Sequence, residues 1–97
     1  MEIEFGSQGT EDIFDGFSTK AANKTLPNNL HGAARRKLVW MIEATRLEDL
    51  KMPPGNRLEK LKGDLAGFHS IRINDQFRIV FRANKFQFTD VSIMDYH

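Results

Sequence analysis

The sequence predicts an α+β fold in which two helices pack on one face of a sheet and leave the opposite face open. The prediction rests on a change of period along the chain. Apolar residues recur at helical spacing in the first half and alternate with polar residues in the second half. The 97 residues contain no internal repeat or linker, so residues 1–97 are expected to form one domain.

The N-terminal segment predicts a strand and a short helix. In residues 1–5, Ile3 and Phe5 alternate with two glutamates, which is typical of a half-buried strand. Thr10 is a residue type favoured at helix N-caps, and acidic residues follow it at the positive end of the helix. We therefore expect a short helix that begins at Thr10 and ends near Gly16.

The main helix is predicted from apolar residues spaced so that they share one face over three turns. These residues are Ala34, Leu38, Met41, Ile42 and Thr45. The helix is expected to run to about Leu47 and to pack this face on the sheet. Residues 52–56, which include two prolines and a glycine, then require a loop.

Alternation in residues 67–73 and 77–82 predicts two strands of a hairpin. The apolar residues of both strands face the same side only if the connecting loop has three residues, 74–76. This register places Arg72 beside Arg78 on the open face of the sheet. Two like charges directly opposite are unfavourable, so either an anion lies between the two arginines or they are splayed apart in solvent.

A last strand is predicted from the alternation of Val91 and Ile93 with polar residues. Phe86 and Phe88 fall in the opposite phase. Because a change of phase within one strand requires an extra residue, we expect a bulge near residues 89–90.

Composition excludes several classes of function. Without cysteine, the chain has no disulfide, thiolate nucleophile or thiolate-bound zinc. Rossmann, phosphate-loop and paired-histidine zinc patterns are absent, and neither a metal nor another cofactor is expected. No stretch approaches the ~18 apolar residues of a membrane span, and the acidic start is unlike a signal peptide. We therefore expect a cytoplasmic protein without membrane contact.

Charge is distributed unevenly. Residues 1–19 hold five acids and no Lys or Arg, a formal charge of −5, whereas the other 78 residues hold 14 bases and 8 acids, a formal charge of +6. Residues 57–85 hold seven of these bases. The pattern suggests an anionic partner such as nucleic acid, although a solvated basic surface has the same composition. His69 lies in the core-facing phase of its strand and is interpreted as structural rather than as a ligand or base.

Several segments, in this order and spacing, resemble the HigB toxins of the RelE/ParE superfamily. They are Leu61-Lys62-Gly63-Asp64, the run from Gly67 to Ile79, the terminal Asp95-Tyr96-His97, and the preceding segments 47–50 and 53–58. The resemblance covers essentially the whole chain. It implies a small, twisted, mainly antiparallel sheet with two helices packed on one face, in agreement with the periodicity.

The resemblance also implies a type II toxin that enters the ribosome, cuts mRNA and arrests growth until a HigA-type helix-turn-helix antitoxin neutralises it. Operator DNA would be contacted only through that antitoxin. The implied chemistry is that of a metal-independent endoribonuclease. A ribose 2′-hydroxyl attacks the adjacent phosphorus and leaves a 2′,3′-cyclic phosphate and a 5′-hydroxyl.

The implied catalytic residues lie in the motifs that carry the resemblance. Lys62 and Arg78 are expected to stabilise the phosphate oxygens, His97 to transfer a proton, Tyr96 to stack or to assist that transfer, and Asp95 to orient one of them. The expected RNA-binding residues are Arg57, Lys60, Arg72 and Arg82. Glu59 stands where some relatives carry a histidine, and is either a second proton-transfer group or, as we favour, a surface acid.

A second function comes from the same superfamily. ParE-type toxins share the fold, lack the nuclease residues and poison DNA gyrase by binding. The presence of Lys62, Arg78, Tyr96 and His97 favours the nuclease. A plain nucleic-acid-binding module is disfavoured, because the basic segment has few aromatic residues and no known binding motif.

Overall fold

The structure, a computed structural model, describes residues 1–96. Within this range there are three α-helices and five strands. In chain order they are β1 (Glu2–Phe5), α1 (Gln8–Asp15), α2 (Lys20–Thr25), α3 (His31–Glu43), β2 (Glu59–Lys60), β3 (His69–Arg72), β4 (Phe77–Ala83) and β5 (Gln87–Asp95). Short 3-10 turns occupy Asn28–Leu30, Leu47–Lys51, Pro54–Asn56 and Gly63–Leu65.

The five strands form one sheet in the order β1-β5-β4-β3-β2. Only β1 runs parallel to its neighbour, β5, and the other pairs are antiparallel, which confirms the predicted mainly antiparallel α+β fold. The edge strand β2 was not predicted. It has two residues, too few for alternation to be recognised.

The predicted short helix exists but begins earlier. Ser7, not Thr10, is the N-cap of α1, and its Oγ accepts a hydrogen bond from the Thr10 amide. The hydroxyl of Thr10 accepts instead from the Ile93 amide of β5 at 3.0 Å, which ties the helix to the sheet. Gly16, at φ 84°, closes the helix in the left-handed conformation, as expected near this position.

Two features of the helical part differ from the prediction. The helix α2, capped by the Thr19 side chain, was not predicted, because among its six residues Ala22 is the only buried side chain. The main helix α3 ends at Glu43, not at Leu47. Beyond it, the amide and hydroxyl of Thr45 both donate to Asp49 Oδ2 and start a separate 3-10 turn. This side-chain capping ends the helix earlier than the apolar spacing suggested.

The hydrophobic core lies between the helices and one face of the sheet. Buried residues of α1 and α3 pack against alternate residues of β3, β4 and β5. Phe81 and Phe88, both fully buried, meet edge to face with ring centroids 5.0 Å apart. Within residues 1–96 no helix has the length and apolar character needed to cross a membrane.

The hairpin and the bulge follow the prediction. Arg72 pairs with Arg78 across β3 and β4, and the amides of residues 76 and 77 donate to Asn74 Oδ1, which defines a three-residue loop. In the β4–β5 pair, Val80 faces Ser92 but Arg82 faces Thr89, so β5 contains one extra residue. Asp90 adopts φ 51° at this bulge.

Candidate active site

The sheet face opposite the helices, called here the second face, carries the residues that alternate with the core residues of β3 and β4. These are Ser70, Arg72, Arg78, Val80 and Arg82. The face was expected to be open. It is only partly so, because Ser70 and Val80 are fully buried and Arg78 is 8% exposed.

Arg78 is the buried cation of this face. Its Nε donates to Ser70 Oγ at 2.7 Å, and its Nη2 donates to the Arg57 carbonyl oxygen at 2.6 Å. In the part of the chain that the structure describes, no carboxylate lies within ion-pair distance of this guanidinium. A desolvated cation surrounded only by neutral acceptors is a favourable partner for an anion.

The carbonyl that Arg78 contacts belongs to a constrained loop. Arg57 adopts the left-handed conformation at φ 46° and ψ 58°, which is unfavourable for a residue with a Cβ. Its predecessor Asn56 is 1% exposed and donates through Nδ2 to the carbonyls of Leu50 and Met52, while its Oδ1 accepts from the Lys37 ammonium. The loop predicted at residues 52–56 is therefore held together from inside by one amide side chain.

Arg72 lies beside Arg78 as the register predicted, but the two side chains are not splayed apart in solvent, and an anion between them stays a prediction. The Arg72 guanidinium forms an ion pair with the exposed Asp75 of the hairpin loop, while Arg78 is buried. The hydrogen bond from Arg72, with the charges of Arg72 and Arg57, lowers the pKa of Asp75 below its usual value. Burial lowers the pKa of Lys37, and the charge of Arg72 lowers it further.

The other predicted cations do not all lie on this face. Lys62 is exposed at the start of the Gly63–Leu65 turn. The Arg82 guanidinium stacks 4.3 Å from the Phe68 ring centroid and forms an ion pair with Asp90 at 3.5 Å. Lys60 pairs with His69 across β2 and β3, which places it on the helix face rather than with Arg78.

Glu59 lies on the opposite face of the sheet from its neighbour Lys60. It pairs with Ser70, so the register puts this exposed glutamate on the second face. Within residues 1–96 it forms no ion pair. The carboxylate is therefore on the same face as the buried guanidinium of Arg78, and the position allows either of its predicted roles.

The chain end is anchored next to the hairpin. The Gln76 side-chain amide donates to Asp95 Oδ2, and the Tyr96 amide donates to the Gln76 carbonyl, both at 2.9 Å. Tyr96, 38% exposed, thus follows β5 two residues after Met94, which pairs with Arg78. His97 lies outside the described residues.

His69 is a rim residue of the core, as predicted. Its ring stacks on Phe81, with centroids 6.1 Å apart, and within residues 1–96 its buried Nδ1 has no hydrogen-bond partner. Burial lowers the pKa of His69, and the charge of Lys60 lowers it further. Among the described residues no three His, Asp or Glu side chains are grouped as metal ligands.

Sequence reasoning missed Ser70 and Asn56, the two side chains that surround Arg78 and its loop. The sequence does not show that Ser70 is buried, because the alternation of polar and apolar residues assigns each residue to a face of the sheet and not to a degree of burial. Two of the surface cavities formed by residues 1–96 have volumes of about 600 and 510 Å³, and Arg78 lines neither of them.

The matches to known proteins extend over most of the chain. Residues 5–97 match the family described as the RelE-like toxin of the type II toxin-antitoxin system HigB. The chain is 35% identical over 82 residues to Toxin HigB-1 of Vibrio cholerae serotype O1, an alignment that covers 84% of this chain and 83% of that protein.

Solved structures share the fold at low sequence identity. The YoeB-YefM toxin-antitoxin complex from Staphylococcus aureus contains a chain of TM-score 0.61 and 21% identity, with 100% of this chain and 97% of that one covered. YafQ from Escherichia coli has TM-score 0.62 and 15% identity, with coverages of 94% and 90%. At such identities these structures bear on the fold alone.

Proposed function

The chain belongs to the HigB-like family of RelE-like toxins from type II toxin-antitoxin systems, and from this premise we propose that it is an mRNA endoribonuclease that acts on the ribosome. The observation that carries the proposal is the buried Arg78 guanidinium, which has no carboxylate partner within residues 1–96. A phosphodiester supplies the missing negative charge.

The proposed reaction starts when a ribose 2′-hydroxyl attacks the adjacent phosphorus. Negative charge then grows on the non-bridging oxygens, and Arg78 and Lys62 stabilise it. The Arg78 guanidinium is fixed before substrate arrives, so little reorganisation is needed at the moment of reaction. Arg57, Arg72 and Arg82 provide the surrounding positive charge that attracts RNA, and Lys60, on the helix face, adds only to the overall positive charge.

Proton transfer is assigned to the chain end and its neighbours. His97 has the residue type whose ordinary pKa lies near working pH, and Tyr96 is placed on the side of the sheet where Met94 pairs with Arg78. One group takes the 2′ proton and another protonates the leaving 5′ oxygen. Asp95, bonded to the Gln76 amide, orients this end of the strand.

The proposed partners are a ribosome carrying mRNA and a HigA-type antitoxin. A ribosome is needed because so few cationic side chains cannot by themselves hold a flexible RNA with its 2′-oxygen in line with the scissile bond. An antitoxin partner is supported by the family description and by the fold shared with the toxin of a YoeB-YefM complex.

Primer extension on one mRNA with and without ribosomes tests the proposal. We expect cleavage only with ribosomes, and cleavage slower by about tenfold or more with the variant Arg78→Ala. Equal cleavage of naked RNA would contradict the ribosome requirement.

A supercoiling assay with DNA gyrase is the companion experiment. Inhibition of gyrase without any mRNA cleavage would replace the nuclease with the ParE-like function.

A further inference from the structure

We propose that Ser70 and Asn56 are positioning residues for Arg78. Ser70 acts through its hydroxyl oxygen, and Asn56 acts through the carbonyl oxygen of Arg57. The inference rests on the proposed nuclease function, because it assigns to these two side chains the task of aiming the guanidinium at the scissile phosphate.

The Arg78 guanidinium has more N–H donors than residues 1–96 accept from. A guanidinium carries five N–H donors in a rigid plane. The Nε donor is bonded to Ser70 Oγ, and Nη2 is bonded to the Arg57 carbonyl with a longer contact of 3.5 Å to the Ser70 carbonyl. No bond from Nη1 is formed within residues 1–96. Two acceptors on different nitrogens fix the plane, and no group of the described residues competes with an anion for the two Nη1 donors.

The Arg57 carbonyl, which accepts from Arg78, connects the guanidinium to Asn56. Its direction depends on a left-handed backbone conformation that an arginine does not favour by itself. Asn56 imposes it from the preceding position, since its side-chain amide holds the carbonyls of Leu50 and Met52. The Asn56 side chain is 1% exposed, and among residues 1–96 its hydrogen bonds go to its own loop and to Lys37, so we assign it the task of holding the loop conformation.

Ser70 is fully buried on β3, where it pairs with Val80 of β4. Ser92 flanks Val80 from the other side, on β5, and makes no bond to Arg78. The two serines therefore flank Val80 from opposite sides, Ser70 fully buried and Ser92 half-buried, and they differ in whether they touch the guanidinium. Ser92→Ala is the control for Ser70→Ala.

The test combines ribosome-dependent cleavage kinetics with NMR of the Arg78 Nε–H group in the full chain. We expect Ser70→Ala to lower kcat by about ten- to a hundredfold with KM for mRNA-programmed ribosomes unchanged. The ribosome still binds, but the Arg78 guanidinium is no longer held in the orientation that stabilises the transition state. The Nε–H of Arg78 should exchange slowly with solvent in the wild type and in Ser92→Ala, and rapidly in Ser70→Ala.

Asn56→Asp is the second variant, since it keeps the acceptor for Lys37 and removes the donors to the loop. It should lower kcat in the same way, and it carries the test if Ser70→Ala does not fold. Wild-type kcat in a folded variant, or rapid Nε–H exchange in the wild type, would overturn the inference while leaving the nuclease in place. A wild-type protein that cleaves no mRNA would instead overturn the proposed function.

Discussion

The amide of Tyr96 donates a hydrogen bond of 2.9 Å to the carbonyl oxygen of Gln76, so strand pairing continues one residue beyond β5. The end of the chain is thereby held against the hairpin loop that precedes Arg78. A terminal segment would ordinarily fray, and this bond gives Tyr96 a defined place beside the hairpin loop.

Deleting His97 should abolish growth arrest and leave the melting temperature unchanged, because the bond between Tyr96 and Gln76 does not involve the deleted residue. Growth of cells that lack antitoxin, followed beside a circular dichroism melt of the purified protein, checks this. Undiminished toxicity would move proton transfer to Glu59 and Tyr96, and a lowered melt would make His97 structural.

Arg78→Ala should lower the cleavage rate by about tenfold or more. Because Arg78 is buried rather than open, the substitution should also destabilise the fold by about 1–3 kcal/mol, since the Ser70 hydroxyl and the Arg57 carbonyl lose their donors. Ile79→Ala, in the core of the same strand, should cost about 2–5 kcal/mol. Urea denaturation compares the two variants. An Arg78→Ala protein as stable as the wild type would show that the buried bonds contribute nothing net.

Glu59→Gln should change the cleavage rate by less than about threefold if Glu59 is a surface acid. The substitution keeps the shape of the side chain and removes its ability to accept a proton. Ribosome-dependent cleavage measured across pH is the assay. A fall of a hundredfold at every pH would instead identify Glu59 as the second proton-transfer group on the face that it shares with Arg78.

His69→Phe should make stability less dependent on pH. The pKa of folded His69 is lowered by burial and by Lys60, so the unfolded chain, with an ordinary histidine pKa of ~6.5, binds a proton first as the pH falls. The stabilisation from neutral His69 is therefore complete above about pH 6.5 and decreases below it. Phenylalanine keeps the ring against Phe81 and does not titrate.

Melting temperatures at about pH 8 and pH 5 measure this effect. The wild type should lose more stability on acidification than His69→Phe does. An identical loss in both proteins would show that other groups carry the pH dependence.

The sequence predicted the sheet more completely than the helices. Alternation and the requirement for a common apolar face determined the three-residue loop and the pairing of Arg72 with Arg78, since a shift of one residue would expose the core. The extent of α3 was overestimated because hydrophobic spacing ignores the side chains that end a helix, here Thr45 and Asp49.

The sequence nominated residues for the candidate site but could not predict their surroundings. Motifs supplied Lys62, Arg78 and the terminal residues, whereas the burial of Arg78 depends on a loop that folds back from a distant part of the chain. The Arg57 carbonyl is 21 residues away from the guanidinium that it contacts. Backbone acceptors of this kind carry no residue-type signal.

The absence of a carboxylate near Arg78, within residues 1–96, links ligand binding to the integrity of the fold. A positive charge withdrawn from water raises the free energy of the folded free chain, and any anion that reaches it lowers that energy by mass action. Inorganic phosphate should therefore raise the melting temperature of the wild type more than that of Arg78→Ala. The protein without a bound anion should then unfold most readily, and occupancy of the site should lengthen the time for which the chain stays folded.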